Sequence, residues 1–314
     1  MVRTLARMSD AQQRDTSAVD QAFFGWSQVG EHEFDVLVDE RLSRTDQRLY
    51  GGTAVGASVA LASLVTERSP LWMTTQFVST VPTGTTLRFT VDVTAPGHRT
   101  NQVAVTARSE DGSLIVSSLG ACGRHRQTDL DGEFEPMPVV SSPEDSAPWR
   151  SVFEALMTDE VKKMLAERFG QAGSGRAAGG HTSTSELRLA ERTDDATSAP
   201  GTEHSTLVWA RRPDDAPITP AVASFLADMV PMSTARALGR FAGGSSLDNT
   251  MRFSHDQPSE WVLFDIRPHG STGGYAHGDA RMWTANGRFL GTASQTFVMR
   301  EFDPLNPPWI RKES

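Results

Sequence analysis

Asp228 is the residue of this chain best suited by its surroundings to acid–base chemistry. It is the one carboxylate of Thr219–Leu238, a mostly small and apolar segment that opens with Pro220, a residue favoured in a first helical turn. A carboxylate carried into such surroundings loses hydration, its pKa rises towards neutrality, and it can then take a proton from water. The same position also suits a structural ion pair, with Arg236 or Arg240 as partner.

Other chemistries find little in the residue pattern. The eight histidines, His32, His98, His125, His181, His204, His255, His269 and His277, are scattered, with no HExxH and no close Cys/His pairing, so no metal is expected. His255, just after Phe253, reads as a surface or core histidine. No GxSxG nucleophile elbow occurs. Gly173–Ala178 (GSGRAA) has the spacing of a dinucleotide loop, but it follows a helical pattern and lacks a βαβ unit around it. It reads as a flexible linker, and no cofactor is expected. Trp72, Trp209, Trp261 and Trp283 read as core or interface anchors.

The elements that must hold Asp228 come as a repeat. Met73–Thr80 leads to Pro82 and then to three β-rich runs, Thr86–Ala95, Gln102–Ser109 and Leu114–Cys122, the last two joined at Asp111-Gly112. Asn249–Asp256 leads to Pro258 and then to Trp261–Pro268, Tyr275–Thr284 and Arg288–Met299, the last two joined at Asn286-Gly287. Pro82 and Gly112 are 30 positions apart, Pro258 and Gly287 are 29, so the two meanders share length, order and turn positions. Asp-Gly and Asn-Gly close tight hairpins, which makes each half an antiparallel sheet of sequential strands. One helix precedes each meander: Thr53–Thr66 after Gly51-Gly52, apolar nearly all round and therefore buried, and Thr219–Leu238. Between the halves, Phe153, Leu156, Val161, Met164 and Leu165 form a helical stripe within Pro148–Gly170, read as a packing helix.

Composition bounds the rest. The 314 residues are 38% hydrophobic and 22% charged, with a net charge of −9, which suits about two domain-sized units and disfavours nucleic-acid or anionic-membrane partners. The single Cys122 excludes an internal disulfide and points to a reducing, cytoplasmic setting. Met1–Asp20 lacks the apolar core of a signal peptide and reads as a disordered leader, and Thr53–Val65 is too short to span a bilayer. The expected divisions are a leader (1–20), a first repeat (21–126), a linker with the packing helix (127–183), a second repeat (184–302) and a tail (303–314).

Three segments carry a resemblance: Ser224–Met229 (SFLADM), Ser245–Met251 (SSLDNTM) and Ala293–Arg300 (ASQTFVMR), with Leu49–Gly52 (LYGG) and its small-residue helix in the first half. In this order and spacing, from about Phe34 to Arg300 with loops excluded, the chain resembles the acyl-CoA thioesterase II family. The resemblance implies an α+β double hotdog, two antiparallel sheets each wrapping a long buried helix. It implies hydrolysis of fatty acyl-CoA to free fatty acid and CoA by water that an Asp, a hydroxyl residue and a Gln hold and activate. Carried over by position, these are Asp228, Ser246 and Gln295, with Ser where Thr is the better-known choice; the oxygen is kept and the rotamer-fixing methyl lost. A backbone N–H near a helix mouth is expected to bind the carbonyl oxygen.

The repeat then predicts a single centre in the second half. Aligning Gly287 with Gly112 sets Gln295 opposite Gly120, and aligning Phe253 with Phe77 sets Ser246 opposite Pro70. Arg211, Arg212, Arg252, Arg267 and Arg281 are candidates for the CoA phosphates, although a solvated strand edge accounts for most of them. Exposed sheet edges suggest a homo-oligomer. Two other readings stay open: an idle acyl-CoA binding module, and a hotdog enzyme acting on carrier-protein thioesters.

Overall fold

Asp111-Gly112 and Asn286-Gly287 turn the hairpins expected of them, with Gly112 at φ +84° and Gly287 at φ +82°, angles that glycine adopts at no steric cost. The computed structural model describes residues 10–126, 128–149, 163, 180–194, 204–240 and 242–301. Helix α1 (Asp10–Phe24) is followed by β1 (Ser27–Gln28), β2 (Glu33–Leu37) and α2 (Gly51–Thr66). A meander of β3 (Ser69–Phe77), β4 (Thr86–Ala95), β5 (Thr100–Arg108) and β6 (Leu114–Gly123) completes the first half. The second half runs through β7 (Ala147–Pro148), β8 (Glu186–Ala190), β9 (Thr206–Arg211), α3 (Pro220–Leu226) and α4 (Val230–Leu238) to the meander β10 (Ala242–Phe253), β11 (Val262–Thr272), β12 (Tyr275–Thr284) and β13 (Phe289–Glu301).

Helix before meander therefore occurs twice, the outline of a double hotdog, but the strands form one sheet where two were expected. Its order is β1-β2-β4-β5-β6-β3-β10-β13-β12-β11-β9-β8-β7. The halves join where β3 and β10 pair antiparallel, and the repeat equivalents Thr74 and Thr250 lie opposite each other, their hydroxyls 3.0 Å apart. A pseudo-twofold axis thus passes between these two threonines. Both outermost strands have two residues, and Pro148 offers no backbone N–H, so these edges give a second copy little to pair with.

Helix α2 packs on β3, β4, β5 and β6, and α4 packs on β10, β11, β12 and β13. The small residues of α2 also serve a purpose the sequence reading did not assign. A Cβ on Gly52 would lie 2.1 Å from the Phe225 carbonyl oxygen, and one on Gly56 2.7 Å from that of Ala221, so the glycine face lets α3 approach backbone to backbone.

Four differences from expectation have clear physical causes. The leader is helical from Asp10: Asp20, Phe23 and Phe24 are buried at its end, Phe23 standing edge-on to Phe225 of α3 with ring centroids 5.0 Å apart. The second long helix is broken in two, because Pro231 cannot donate to the Ala227 carbonyl and its ring crowds it. Strands β8 and β9 extend the second half of the sheet. The linker segment 128–149 straps the outer face of that half: Trp209 Nε1 donates to Ser141 O (2.9 Å) and Trp283 Nε1 to Glu135 O (3.1 Å). This outer face is itself apolar, built from Leu207, Trp209, Trp261, Leu263 and Trp283, which the strap covers with Met137 and Val140.

The packing helix expected over Pro148–Gly170, the Gly173–Ala178 loop and the tail lie almost entirely outside the described residues. Among the described residues no helix is long and apolar enough to cross a membrane.

Candidate functional site

Asp228 sits in the break between α3 and α4, where the chain turns and the carboxylate leaves the helical stack. Thr219 caps the start of α3, its Oγ1 accepting from Val222 N at 3.1 Å, and Pro220 occupies the first turn as expected. The break hands Asp228 to the opposite repeat. Helix α2 begins at Tyr50 without any side-chain cap, and the Asp228 carboxylate accepts a hydrogen bond from the Gly52 backbone N–H. Asp228 so takes the place of the missing cap, at the positive end of α2.

Only glycine permits this approach. A Cβ on Gly51 would stand 2.5 Å from Asp228 Oδ2. Tyr50 fixes the break from the other side, its hydroxyl donating to the Asp228 carbonyl oxygen at 3.2 Å, while its ring stacks on His181 with centroids 3.9 Å apart and planes 11° off parallel.

Ser246 and Gln295 reach the same carboxylate from the sheet. Ser246 Oγ donates to Asp228 Oδ1 at 3.2 Å, and Gln295 Nε2 donates to Ser246 Oγ at 2.6 Å and to Asp228 Oδ1. A register shift in β10 makes this possible. Asn249 and Met251 point inward by strict alternation, which would turn Ser246 outward; the extra residue, Leu247, swings out to solvent instead and restores Ser246 to the inner face, opposite Phe297.

Burial dominates the electrostatics. It pushes Asp228 up from 3.8 to about 6, against the Ser246, Gln295 and Gly52 hydrogen bonds and the Arg44 charge, all of which pull it down. Burial raises Tyr50 well above its ordinary value, helped by the Asp228 charge, so the phenol stays a donor. Burial lowers His181 to about 4, which keeps its ring neutral at pH 7.

The structure thus brings together all three residues singled out in the sequence. Asp228 does not pair with Arg236 or Arg240: Arg236 binds Ser205 O and Thr206 Oγ1, and Arg240 lies 3.2 Å from Glu301. His255 stays apart, with Glu133 2.9 Å away and Arg288 beside it. Four of the five arginines considered for phosphate are held by carboxylates: Arg211 by Glu186, Arg212 by Asp214, Arg267 by Asp265 and Arg281 by Asp279. Tyr50, Gly51 and Gly52 were noted in the sequence only as a motif; their contact with Asp228 has no local signal.

Residues 38–123 match the acyl-CoA thioesterase N-terminal domain and residues 158–299 the acyl-CoA thioesterase C-terminal domain. No curated protein sequence matches the chain. Among solved structures, a candidate thioesterase of Novosphingobium aromaticivorans is similar at 24% identity and TM-score 0.71, over 87% of this chain and 97% of that one. An acyl-CoA thioesterase II of Mycobacterium marinum is similar at 18% identity and TM-score 0.66, over 90% and 98%. A hot dog fold protein of Alicyclobacillus acidocaldarius is similar at 17% identity and TM-score 0.67, over 90% and 98%. These likenesses concern the fold, a hotdog arrangement; the two domain matches go further, for together they span most of the chain in the order N-terminal then C-terminal domain, and the chain belongs to the acyl-CoA thioesterase family of thioester hydrolases.

Proposed function

We propose that the chain hydrolyses fatty acyl-CoA to free fatty acid and CoA with Asp228 as general base and Ser246 and Gln295 as the residues that hold the attacking water. The observation that supports this reading is the convergence of these three side chains in an otherwise apolar interior, with Asp228 9% and Gln295 2% exposed. A carboxylate that titrates near 6 is ionised at neutral pH and still basic enough to accept a proton.

In this mechanism Asp228 removes a proton from water as the water oxygen attacks the thioester carbonyl carbon. The tetrahedral intermediate collapses by breaking the C–S bond, and the proton on Asp228 passes to the departing thiolate. Ser246, which accepts from Gln295 and donates to Asp228, keeps a lone pair for the water, and the positive end of α2 lies beside the forming oxyanion. No covalent acyl-enzyme is needed. The acyl chain would lie between helix and sheet.

The test is thiol release from a chain-length series of acyl-CoA esters by wild type and Asp228→Asn. Turnover of at least one ester, reduced about 10²–10⁴-fold in the variant, is expected. An Asn variant as fast as wild type removes Asp228 as base. A wild type that binds the esters without releasing thiol is an idle binding module, and one that turns over only carrier-bound thioesters has another substrate.

A further inference from the structure

Asn249 lies on β10 three residues beyond Ser246 and is fully buried, yet neither polar atom of its carboxamide has a hydrogen-bond partner among the described residues. Its cross-strand neighbour on β13 is Gln295, whose Nε2 is committed to Asp228 and Ser246 while its Oε1 is likewise unpartnered. Directly opposed residues of antiparallel strands project to one face with Cβ atoms about 5 Å apart. An unused N–H donor and an unused carbonyl acceptor therefore belong to neighbouring side chains on one face. On its other side Asn249 opposes Thr75 of β3, whose hydroxyl is 2.9 Å from that of Ser118, which in turn donates to Ser58 of α2 at 3.2 Å. A buried polar group left unpaired costs about 1–3 kcal/mol, so this line of polar side chains is expected to close on itself, directly or through one water.

The repeat provides an internal control. Across the axis at Thr74 and Thr250, the counterparts of Asn249 and Gln295 are Met73 and Gly120, which oppose each other on β3 and β6 in the same way. Met73 is as buried as Asn249, and a Cβ on Gly120 would meet its sulfur at 2.8 Å. The fold closes here with apolar groups, so the sheet has no need of an amide at position 249.

We propose that Asn249 is a positioning residue: its Nδ2 donates to Gln295 Oε1, directly or through one buried water, and so holds the Gln295 carboxamide with Nε2 turned to Asp228 and Ser246. The two ends of a carboxamide have nearly the same shape, and only their partners decide which way it lies. Flipped, Gln295 would set its oxygen against the Asp228 carboxylate and leave Ser246 without a donor. Asn249 ties down the end that Asp228 does not reach.

The proposal rests on the reading of Asp228 as base, so its test includes a readout independent of turnover. Asn249→Leu keeps the size of the side chain and removes both polar atoms. Carbon-13 NMR titration of the Asp228 carboxyl, without substrate, reports whether Gln295 still donates to it; the other groups facing Asp228 are Ser246, the Gly52 N–H, Tyr50 and Arg44. In wild type this carboxyl is expected to titrate at about 6. In Asn249→Leu it is expected to titrate higher, and kcat to fall roughly 10–100-fold with KM little changed. A folded variant with an unmoved titration overturns the proposal whatever its activity. A moved titration in a protein whose wild type hydrolyses no thioester upholds the Asn249–Gln295 link and overturns the proposed reaction instead. Should the variant not fold, a high-resolution crystal structure of wild type decides: Asn249 Nδ2 within hydrogen-bond reach of Gln295 Oε1 or of a shared water supports the proposal, and an amide turned elsewhere sinks it.

Discussion

At the residue scale the site is a contest between burial, which raises Asp228, and four groups that lower it, and burial wins by enough to leave a value of about 6. As base, Asp228 must be ionised, so kcat/KM is expected to climb as pH rises through about 6 and to level off above it; a profile flat from pH 5 to 7 counts against the assignment. The adjacent glycines separate chemistry from folding. Gly51→Ala sets a methyl against the carboxylate and is expected to lower kcat by about 100-fold with a small change in Tm. Gly52→Ala drives a methyl into the backbone of α3 and is expected to cost at least about 1–3 kcal/mol in denaturant unfolding. Equal loss of stability in both would contradict this division. Asp228 could be read from the sequence because a lone carboxylate in an apolar segment is conspicuous. Ser246 and Gln295 are ordinary by type, and only a resemblance in order and spacing marked them. Tyr50 touches Asp228 across 178 positions, and no local pattern encodes such a contact.

Among the elements, the hairpins were legible because Asp-Gly and Asn-Gly declare their turns, and β4 and β12 fall on their expected bounds. The helix break was not, although Pro231 stood in plain view; an apolar run with one interior proline still reads as a single helix. Strand β9 is hidden in the sequence for another reason. It is buried on both faces, Val208 in the main core and Trp209 under the strap, so it shows no alternation. The register shift at Leu247 carries a prediction of its own. Deleting Leu247 removes the extra residue and sets Ser246 directly before Asp248, so strict alternation keeps Ser246 on the inner face with Asn249 and kcat should stay well above that of Ser246→Ala. If the deletion variant folds and falls as far as Ser246→Ala, Leu247 is not the extra residue that sets the face of the hydroxyl.

Across the whole molecule the symmetry of the sheet and the asymmetry of the site are in tension. The axis at Thr74 and Thr250 relates two meanders, and each helix start is a potential site because it exposes unpaired N–H groups. Only one start is left open to a carboxylate from the other repeat. At α2 no side chain caps the helix and Asp228 enters; at α3 Thr219 caps its own helix and is backed by Asp20. The space beside α3 is about 10 Å³, room for a single water, and is lined largely by apolar groups that include Ile218, Met282 and Leu290. The counterparts of Gln295 and Asn249 are Gly120 and Met73, and α2 carries no charged residue at all. Isothermal titration with a thioether analogue of an acyl-CoA, which cannot be hydrolysed, is therefore expected to give one binding event per chain, abolished or weakened by Gly51→Ala. Two equivalent events per chain would mean that the first repeat has kept a working pocket, and that its loss of polar residues changed the chemistry of that pocket without closing it.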